Sequence, residues 1–246
     1  MSDNEPVKVY DPLIKSELTL VSMHPNGVNG IYADLMQVLA RQLKARIKKG
    51  YQNVIVCTGR TGAGKSTCML NLIRAMDPEW QLGPNYIYSD EDLARKLKHK
   101  ETANPISLFD EGSVSFNSLN YNKSSDKAMI VLLDCLRSLG YTTCICIPSI
   151  NDLNKRIRDH LIDYLIVCPD EPLVSGYDKR GFFELYRPVS NTWSKGTYYQ
   201  LLGAGLYSKL DRQLDDEYQR IKLEHQLTLI NSFIDTSKDK KEKVKE

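Results

Sequence analysis

Nine consecutive residues combine glycines, a lysine and hydroxyl side chains at a spacing suited to binding a phosphate. They match the pattern G-x-x-x-x-G-K-[ST] and read Gly59, Arg60, Thr61, Gly62, Ala63, Gly64, Lys65, Ser66, Thr67. Glycines let the backbone curl, so that several N–H groups can face one anion. The pattern predicts ATP binding, with Lys65 on the β- and γ-phosphates and Ser66 as a ligand of Mg²⁺.

The residues on either side of this loop, which we call the phosphate loop, have the patterns that such a site requires. An apolar run, Val54 to Cys57, predicts a strand directly before the loop, and a helical pattern follows it as far as Asp77. The amino end of that helix carries partial positive charge and would point at the phosphates. This context argues against a chance glycine-rich turn.

A second motif ends in two adjacent carboxylates, Asp110 and Glu111, after the apolar run Ile106 to Phe109. It looks like the Walker B strand of P-loop ATPases with a catalytic glutamate, the broad group that contains RecA, AAA+, terminase and FtsK/HerA-type motors. The resemblance implies that Asp110 positions Mg²⁺ and that Glu111 polarises the attacking water as general base. A solvated acidic turn is the alternative reading.

Further polar residues suit the same resemblance. Asn151 follows a predicted strand, where motors of this group carry a residue that orients the attacking water. Arg156 and Arg158 lie where ring-forming relatives present an arginine to a neighbouring subunit's γ-phosphate, and Arg137 is a third candidate. Ordinary turn chemistry and a solvated basic helix face explain these residues as well.

Residues 50–190 as a whole are similar to FtsK/HerA-like ATPases and to their phage or plasmid relatives, the zonula-occludens-toxin-like ATPases. The resemblance implies a homo-oligomer, expected to be a ring, that moves double-stranded DNA in packaging, segregation or transfer. It also implies partner proteins encoded by a phage or plasmid. The chain departs from the FtsK pattern because nothing in it matches the extra DNA-reading domain.

Five predicted strands begin near residues 54, 85, 106, 142 and 164 and alternate with helical segments. This alternation predicts an α/β fold: a three-layer P-loop NTPase domain with a mostly parallel sheet of about five strands. We expect an extended N-terminal arm with one strand over residues 1–30 and the ATPase domain over 31–190. A helical C-terminal extension over 191–235, its helix starting near Tyr198, and a frayed lysine-rich tail over 236–246 follow.

Charge and composition limit the function classes without selecting one. The 246 residues carry a net charge of +2, so any DNA contact must come from local patches. One such patch is the second half of a predicted helix over residues 31–49, which either contacts a phosphate backbone or is simply solvated. Its basic residues are Arg41, Lys44, Arg46, Lys48, Lys49.

The cysteines and the amino terminus predict a cytoplasmic protein. Six cysteines fall mostly within apolar patterns and without a C-x-x-C pair, so we expect reduced core thiols and neither disulfides nor a zinc site. A metal pair at Cys144 and Cys146, which would share one face of a strand, is the weaker alternative. The chain begins without a signal-peptide pattern and has no apolar run long enough to cross a membrane.

Three other functions compete with a DNA motor. A GTPase is disfavoured because Asn122 to Asp126 has the wrong spacing for N-K-x-D. A small-molecule kinase stays open because kinases also use arginines, although a glutamate directly after Asp110 suits activation of water. A nucleotide-dependent switch or assembly scaffold stays open too. The response of the ATPase rate to DNA, to a phosphate acceptor or to neither would separate them.

Overall fold

The computed structural model describes residues 7–27, 29–88, 90–98, 104–110, 140–174, 181–191 and 196–242. They form two compact units, residues 1–209 and residues 210–246. The strands are β1 Lys8–Asp11, β2 Ser16–Met23, β3 Gly30–Tyr32, β4 Asn53–Thr58, β5 Tyr86–Ile87, β6 Ile106–Phe109, β7 Thr142–Ile147, β8 Tyr164–Val167, β9 Phe182–Asn191 and β10 Gly196–Leu206. The α-helices are α1 Leu35–Lys48, α2 Lys65–Met76, α3 Leu82–Asn85, α4 Asp90–Lys98, α5 Lys155–His160 and α6 Arg212–Glu242, and a 3₁₀ turn covers Ile150–Asp152.

The five predicted strands form the parallel half of one sheet, in the order β8-β4-β7-β6-β5. Every residue of β4 and of β7 is buried, which is why both read as continuous apolar or β-branched runs. Strand β7 lies between the strand that precedes the phosphate loop and the strand that ends at Asp110. Because parallel strands end at one edge, the residues that follow β4, β6, β7 and β8 all lie at that edge.

The predicted number of about five strands is wrong, since the described residues form a ten-stranded sheet. Beyond β8 it continues through β9, β10, β3, β2 and β1, and all these pairings are antiparallel except β3 with β10. Residues 1–30 therefore contribute strands β1 and β2 and the first residue of β3, more than the single strand expected. The fold is mixed α/β, and its second half is not the parallel sheet expected.

The helix predicted from Tyr198 is also wrong as far as Leu206, because these residues belong to β10. Two small residues explain the pairing. A side chain at Gly203 would begin 2.9 Å from the Tyr32 ring, and one at Gly205 would begin 2.5 Å from the Phe183 ring. Both aromatic rings thus pack directly against the β10 backbone. Such close packing suits a strand in a sheet. The charged residues that favoured a helix in this region all follow Leu206.

The C-terminal unit consists mainly of α6, so the extension is helical from Arg212. The helix continues to Glu242 and takes in most of the tail that was expected to fray. An i,i+4 pair at 2.8 Å, between the Arg220 guanidinium and the Glu224 carboxylate, supports its exposed surface. Over the residues that the structure describes, no helix is both long and apolar enough to cross a membrane.

Candidate nucleotide-binding site

The phosphate loop runs between the end of β4 at Thr58 and the start of α2 at Lys65. Its backbone needs glycine at two positions in particular. Gly59 has φ of +150°, and a side chain there would begin 2.6 Å from the carbonyl oxygen of Cys168. Gly64 precedes α2 with φ of +91°, in the left-handed region. The loop therefore has the curled backbone that the motif predicts, at the amino end of a twelve-residue helix.

Lys65 lies at the first position of α2, and its side chain reaches back across the loop. Its ammonium nitrogen donates a hydrogen bond to the carbonyl oxygen of Arg60 at 3.1 Å. The Arg60 side chain points away, and its Nε lies 3.1 Å from Asp170 in an exposed ion pair. Exposed pairs of this kind add little stability. The Lys65 ammonium itself is held over the loop by its exposed hydrogen bond to a neutral carbonyl oxygen, a contact that a charged phosphate could replace.

Ser66 and Asp110 meet across the site. The Ser66 hydroxyl donates a hydrogen bond to Oδ1 of Asp110 at 2.9 Å, which joins the first turn of α2 to the end of β6. Only 5% of Asp110 is exposed. A hydroxyl and a carboxylate oxygen are ligands that Mg²⁺ takes in proteins, so the donor set fits the predicted ion. Glu111, the predicted general base, lies outside the described residues.

Asn151 and Arg158 also lie together, after strand β7. The 3₁₀ turn that holds Asn151 is preceded by its N-cap residue Ser149, whose hydroxyl accepts the Asn151 N–H at 3.2 Å. The Asn151 side-chain oxygen accepts a hydrogen bond from the Arg158 guanidinium at 3.0 Å. Arg156 lies on the same short helix, α5, and is exposed. Both predicted arginines are therefore on one surface element, whereas Arg137 lies outside the described residues.

Part of the basic patch on α1 has a structural role. Arg46 donates to Asn53 at 2.6 Å and to the Asp163 carboxylate at 2.9 Å, so it connects α1 to the first residue of β4 and to the residue before β8. Asp163 in turn accepts the backbone N–H of Val54 at 2.9 Å. The other four cations are exposed: Arg41, Lys44, Lys48, Lys49. Arg46 is therefore the member of the patch least suited to contact DNA.

Two residues that lie beside the loop, Tyr207 and Cys168, were not predicted from the sequence to belong to the site. The Tyr207 hydroxyl donates to the carbonyl oxygen of Ala63 at 3.3 Å and lies where a side chain on Gly64 would begin. Burial raises the pKa of Tyr207, so it stays a neutral donor. Cys168 packs behind Gly59. Tyr207 was not predicted because it follows β10, a strand whose sequence had been interpreted as a helix. Cys168 was not predicted because its apolar surroundings in the sequence indicated an ordinary core thiol.

Cys168 is part of a thiol cluster behind the loop. Its sulfur lies 3.6 Å from that of Cys57, and the sulfur of Cys68 lies within 4.8 Å of both. Burial raises the pKa of Cys57 and of Cys68. Hydrogen bonds from those two thiols lower the pKa of Cys168, because they stabilise its thiolate form. All three are free and buried.

No protein-family model matches the chain, and no curated protein does. Three solved structures illustrate what it is similar to. The genome packaging NTPase B204 of Sulfolobus turreted icosahedral virus 2, in complex with AMPPCP, is 14% identical with a TM-score of 0.40, over 61% of this chain and 97% of that one.

The N-terminal domain of zonular occludens toxin from Neisseria meningitidis is 14% identical with a TM-score of 0.39, over 68% of this chain and 98% of that one. A KaiC-like protein of Pyrococcus horikoshii OT3 is 15% identical with a TM-score of 0.33, over 63% of this chain and 89% of that one. At these scores the matches carry no argument about function. The predicted resemblance, to zonula-occludens-toxin-like P-loop ATPases, is nevertheless found among them.

Proposed function

We propose that the protein is a Mg²⁺-dependent P-loop ATPase. The observation that carries the proposal is the hydrogen bond between Ser66 and Asp110, beside a glycine-rich loop at a helix amino end. In P-loop NTPases the serine after the lysine and an aspartate at the end of a strand of the same sheet together hold the Mg²⁺. This chain has Ser66 directly after Lys65 and Asp110 directly after β6, within hydrogen-bond distance of each other, and this supports the proposal.

In this proposal the backbone N–H groups of residues 59–67 bind the phosphates, and Lys65 leaves its contact with Arg60 to pair with them. Ser66 and Asp110 would hold Mg²⁺, and the chemistry that the ion would supply is neutralisation of charge on the phosphates. Glu111 follows Asp110 directly and would accept a proton from the attacking water. Asn151 would help to orient that water.

The finer proposal is an oligomeric motor that acts on double-stranded DNA, with a packaging, segregation or transfer role. Two features of the chain support it. Arg41, Lys44, Lys48 and Lys49 give α1 an exposed row of cations without an acidic residue among them. Arg156 and Arg158 lie on a surface helix next to the predicted water-orienting residue, where a neighbouring subunit could meet them.

The experiment is to measure ATP turnover with and without duplex DNA at low salt, in the wild type and in a triple variant, Lys44, Lys48 and Lys49→Glu. A matched control changes three exposed lysines elsewhere, Lys15, Lys98 and Lys209→Glu, and so makes the same change in net charge. A motor predicts stimulation that the α1 variant loses and the control keeps. It also predicts that stimulation falls steeply as salt rises, because phosphate contacts release counterions.

Other outcomes identify other functions. Turnover that DNA does not change in any of the three proteins would contradict the motor and favour a nucleotide-dependent switch or scaffold. Turnover that requires a small phosphate acceptor would favour a kinase. The absence of ATP binding in the wild type would contradict the ATPase itself.

A further inference from the structure

Three thiols meet behind the phosphate loop, although they are far apart in sequence. Cys57 lies near the end of β4, Cys68 in the first turn of α2, and Cys168 just after β8. Their sulfur atoms all lie within 4.8 Å of one another, and Cys57 and Cys168 are 3.6 Å apart. No more than 1% of any of them is exposed. The ordinary expectation, separate core thiols, does not bring three sulfur atoms to one point.

We propose that Cys57, Cys68 and Cys168 form a binding site for one thiophilic metal ion, of the class of Cu⁺ or Zn²⁺. Thiolate sulfur binds such an ion at about 2.3 Å, so three ligands around it are about 3.8 to 4.0 Å apart. The observed separations, from 3.6 Å to at most 4.8 Å, bracket that spacing. The side chains need to move by less than about 1 Å to close on an ion.

The ligand type separates this site from the Mg²⁺ site. Soft thiolates select ions such as Cu⁺ and Zn²⁺, whereas Mg²⁺ takes oxygen ligands. The site proposed here has only sulfur, and the Ser66–Asp110 pair has only oxygen. The metal proposal therefore does not depend on whether the protein hydrolyses ATP.

The surroundings favour negative charge on one of the three sulfurs, that of Cys168, whereas burial raises the pKa of Cys57 and of Cys68, so a bound ion would have to displace the protons of those two thiols. Cys68 lies in the first turn of α2, whose amino end carries partial positive charge. The Lys65 ammonium and the Tyr207 hydroxyl both interact favourably with the Cys168 thiolate. Three thiolates alone suit a three-coordinate Cu⁺ ion. Zn²⁺ would take a fourth ligand in addition to the three thiolates, such as a water molecule.

An ion at this point would join the three segments that form the walls of the phosphate loop. Cys57 is two residues before Gly59, and Cys68 is three residues after Lys65. Cys168 completes the set, because its carbonyl oxygen packs against Gly59 and its N–H donates to Thr58 at 2.8 Å. The ion would act as a structural tie that holds the loop in its curled form.

The experiment uses the full chain without nucleotide, produced in medium supplemented with Zn²⁺ or, under reducing conditions, with Cu⁺, and then dialysed against metal-free buffer. Elemental analysis gives the ratio of metal to protein. Four proteins are compared: the wild type, Cys57→Ser, Cys168→Ser and the control Cys144→Ser. Cys144 is equally buried, on β7, but lies outside the cluster.

We expect about one ion per chain in the wild type and in the Cys144 control, and at least about tenfold weaker retention in either cluster variant. Whichever of the two preparations, Zn²⁺-supplemented or Cu⁺-supplemented, retains its ion after dialysis identifies the metal that the site binds. X-ray absorption on the wild type, which needs no variant to fold, should show three sulfur ligands at about 2.3 Å. The proposal is overturned if neither ion is retained, if the cluster variants retain as much as the control, or if ligation is only by nitrogen and oxygen.

Discussion

The Ser66 hydroxyl and the Asp110 carboxylate lie 2.9 Å apart, although 44 positions separate them in the chain. The contact places the start of α2 and the end of β6 in one site. Because Asp110 is buried and hydrogen-bonded, a useful substitution removes the charge of its side chain and keeps the size and shape. Asparagine keeps an oxygen for Ser66 to donate to, and it loses the charge that a divalent cation needs.

We therefore predict that Asp110→Asn folds normally but needs at least about tenfold more Mg²⁺ for half-maximal ATP turnover. Ser66→Ala should shift the same Mg²⁺ titration in the same direction, because it removes the other oxygen ligand. Ser208→Ala, which removes an exposed hydroxyl bonded to Asn71, is the control and should leave the titration unchanged. An unshifted titration in Asp110→Asn would show that this pair does not hold the metal.

Lys65→Ala is predicted to abolish ATP binding or turnover and to leave the free energy of unfolding almost unchanged. The side chain is half-buried, and its hydrogen bond to the carbonyl oxygen of Arg60 contributes no core packing. Equilibrium binding of a fluorescent ATP analogue and urea denaturation measure the two effects. Lys209→Ala, an exposed lysine outside the loop, serves as the control. Wild-type affinity and rate in Lys65→Ala would contradict the proposed site.

The parallel half of the sheet was predictable because its strands are buried on both faces. Residues 54–57 and 142–147 are unbroken apolar or β-branched runs. This pattern can be recognised from the sequence alone, without knowing which strands pair with them. The phosphate loop was predictable for a similar reason, since the motif lies wholly within nine residues. A short stretch of sequence was therefore sufficient to predict those elements whose structure depends on residues close together in the chain.

Most of the other half was not predictable, because its causes are long-range. Strand β10 mixes tyrosines, a glutamine and glycines, and it is held by rings from Tyr32 and Phe183. The Tyr207 contact with Ala63 spans 144 positions. Arg46 looked like a solvent-facing cation of a basic patch until Asp163, 117 positions away, proved to be its partner. The periodicity of residues within one helix or strand does not show which distant residues that element contacts.

Glu111→Gln is predicted to bind ATP and Mg²⁺ normally and to lose turnover by about 10²-fold or more, the scale expected when a general base is removed. The prediction rests on the position of Glu111 directly after Asp110. Single-turnover ATP hydrolysis and a separate nucleotide-binding measurement distinguish lost chemistry from lost binding. If Glu111→Gln hydrolyses ATP at the wild-type rate, the general-base assignment fails and a kinase becomes the better reading.

Arg158→Ala subunits are predicted to depress turnover more than in proportion when they are mixed with wild type. The reason is that the loss of an arginine supplied in trans disables the site of a neighbouring subunit, and in a ring whose sites act in a coordinated sequence one disabled site also stops the others. Arg158 also holds Asn151, so its loss should lower the rate further than Arg156→Ala does. Subunit-mixing curves together with the molecular mass under ATP make the test. A strictly proportional loss and a monomeric mass would contradict the ring.

A buried lysine gives a prediction about stability that is independent of the site. Lys96 on α4 is 5% exposed and donates to the Asn85 side chain at 2.7 Å and to the Ile106 carbonyl oxygen at 2.8 Å. Burial lowers the pKa of Lys96 to about 7, because the ammonium loses its hydration. In the unfolded chain its pKa returns to about 10.4.

Between these two pKa values the unfolded chain binds a proton that the folded chain does not, so the free energy of unfolding rises with pH. The slope from Lys96 alone is up to about 1.4 kcal/mol per pH unit between about pH 7 and 10, and it vanishes below about pH 7. Urea denaturation of the wild type and of Lys96→Met across about pH 6 to 9 should show their difference changing with this slope. Other buried thiols and tyrosines titrate in both proteins, so the comparison isolates the lysine. Lys98→Met, an exposed lysine on the same helix, should run parallel to the wild type, and a parallel Lys96→Met curve would mean that Lys96 stays charged in the folded protein.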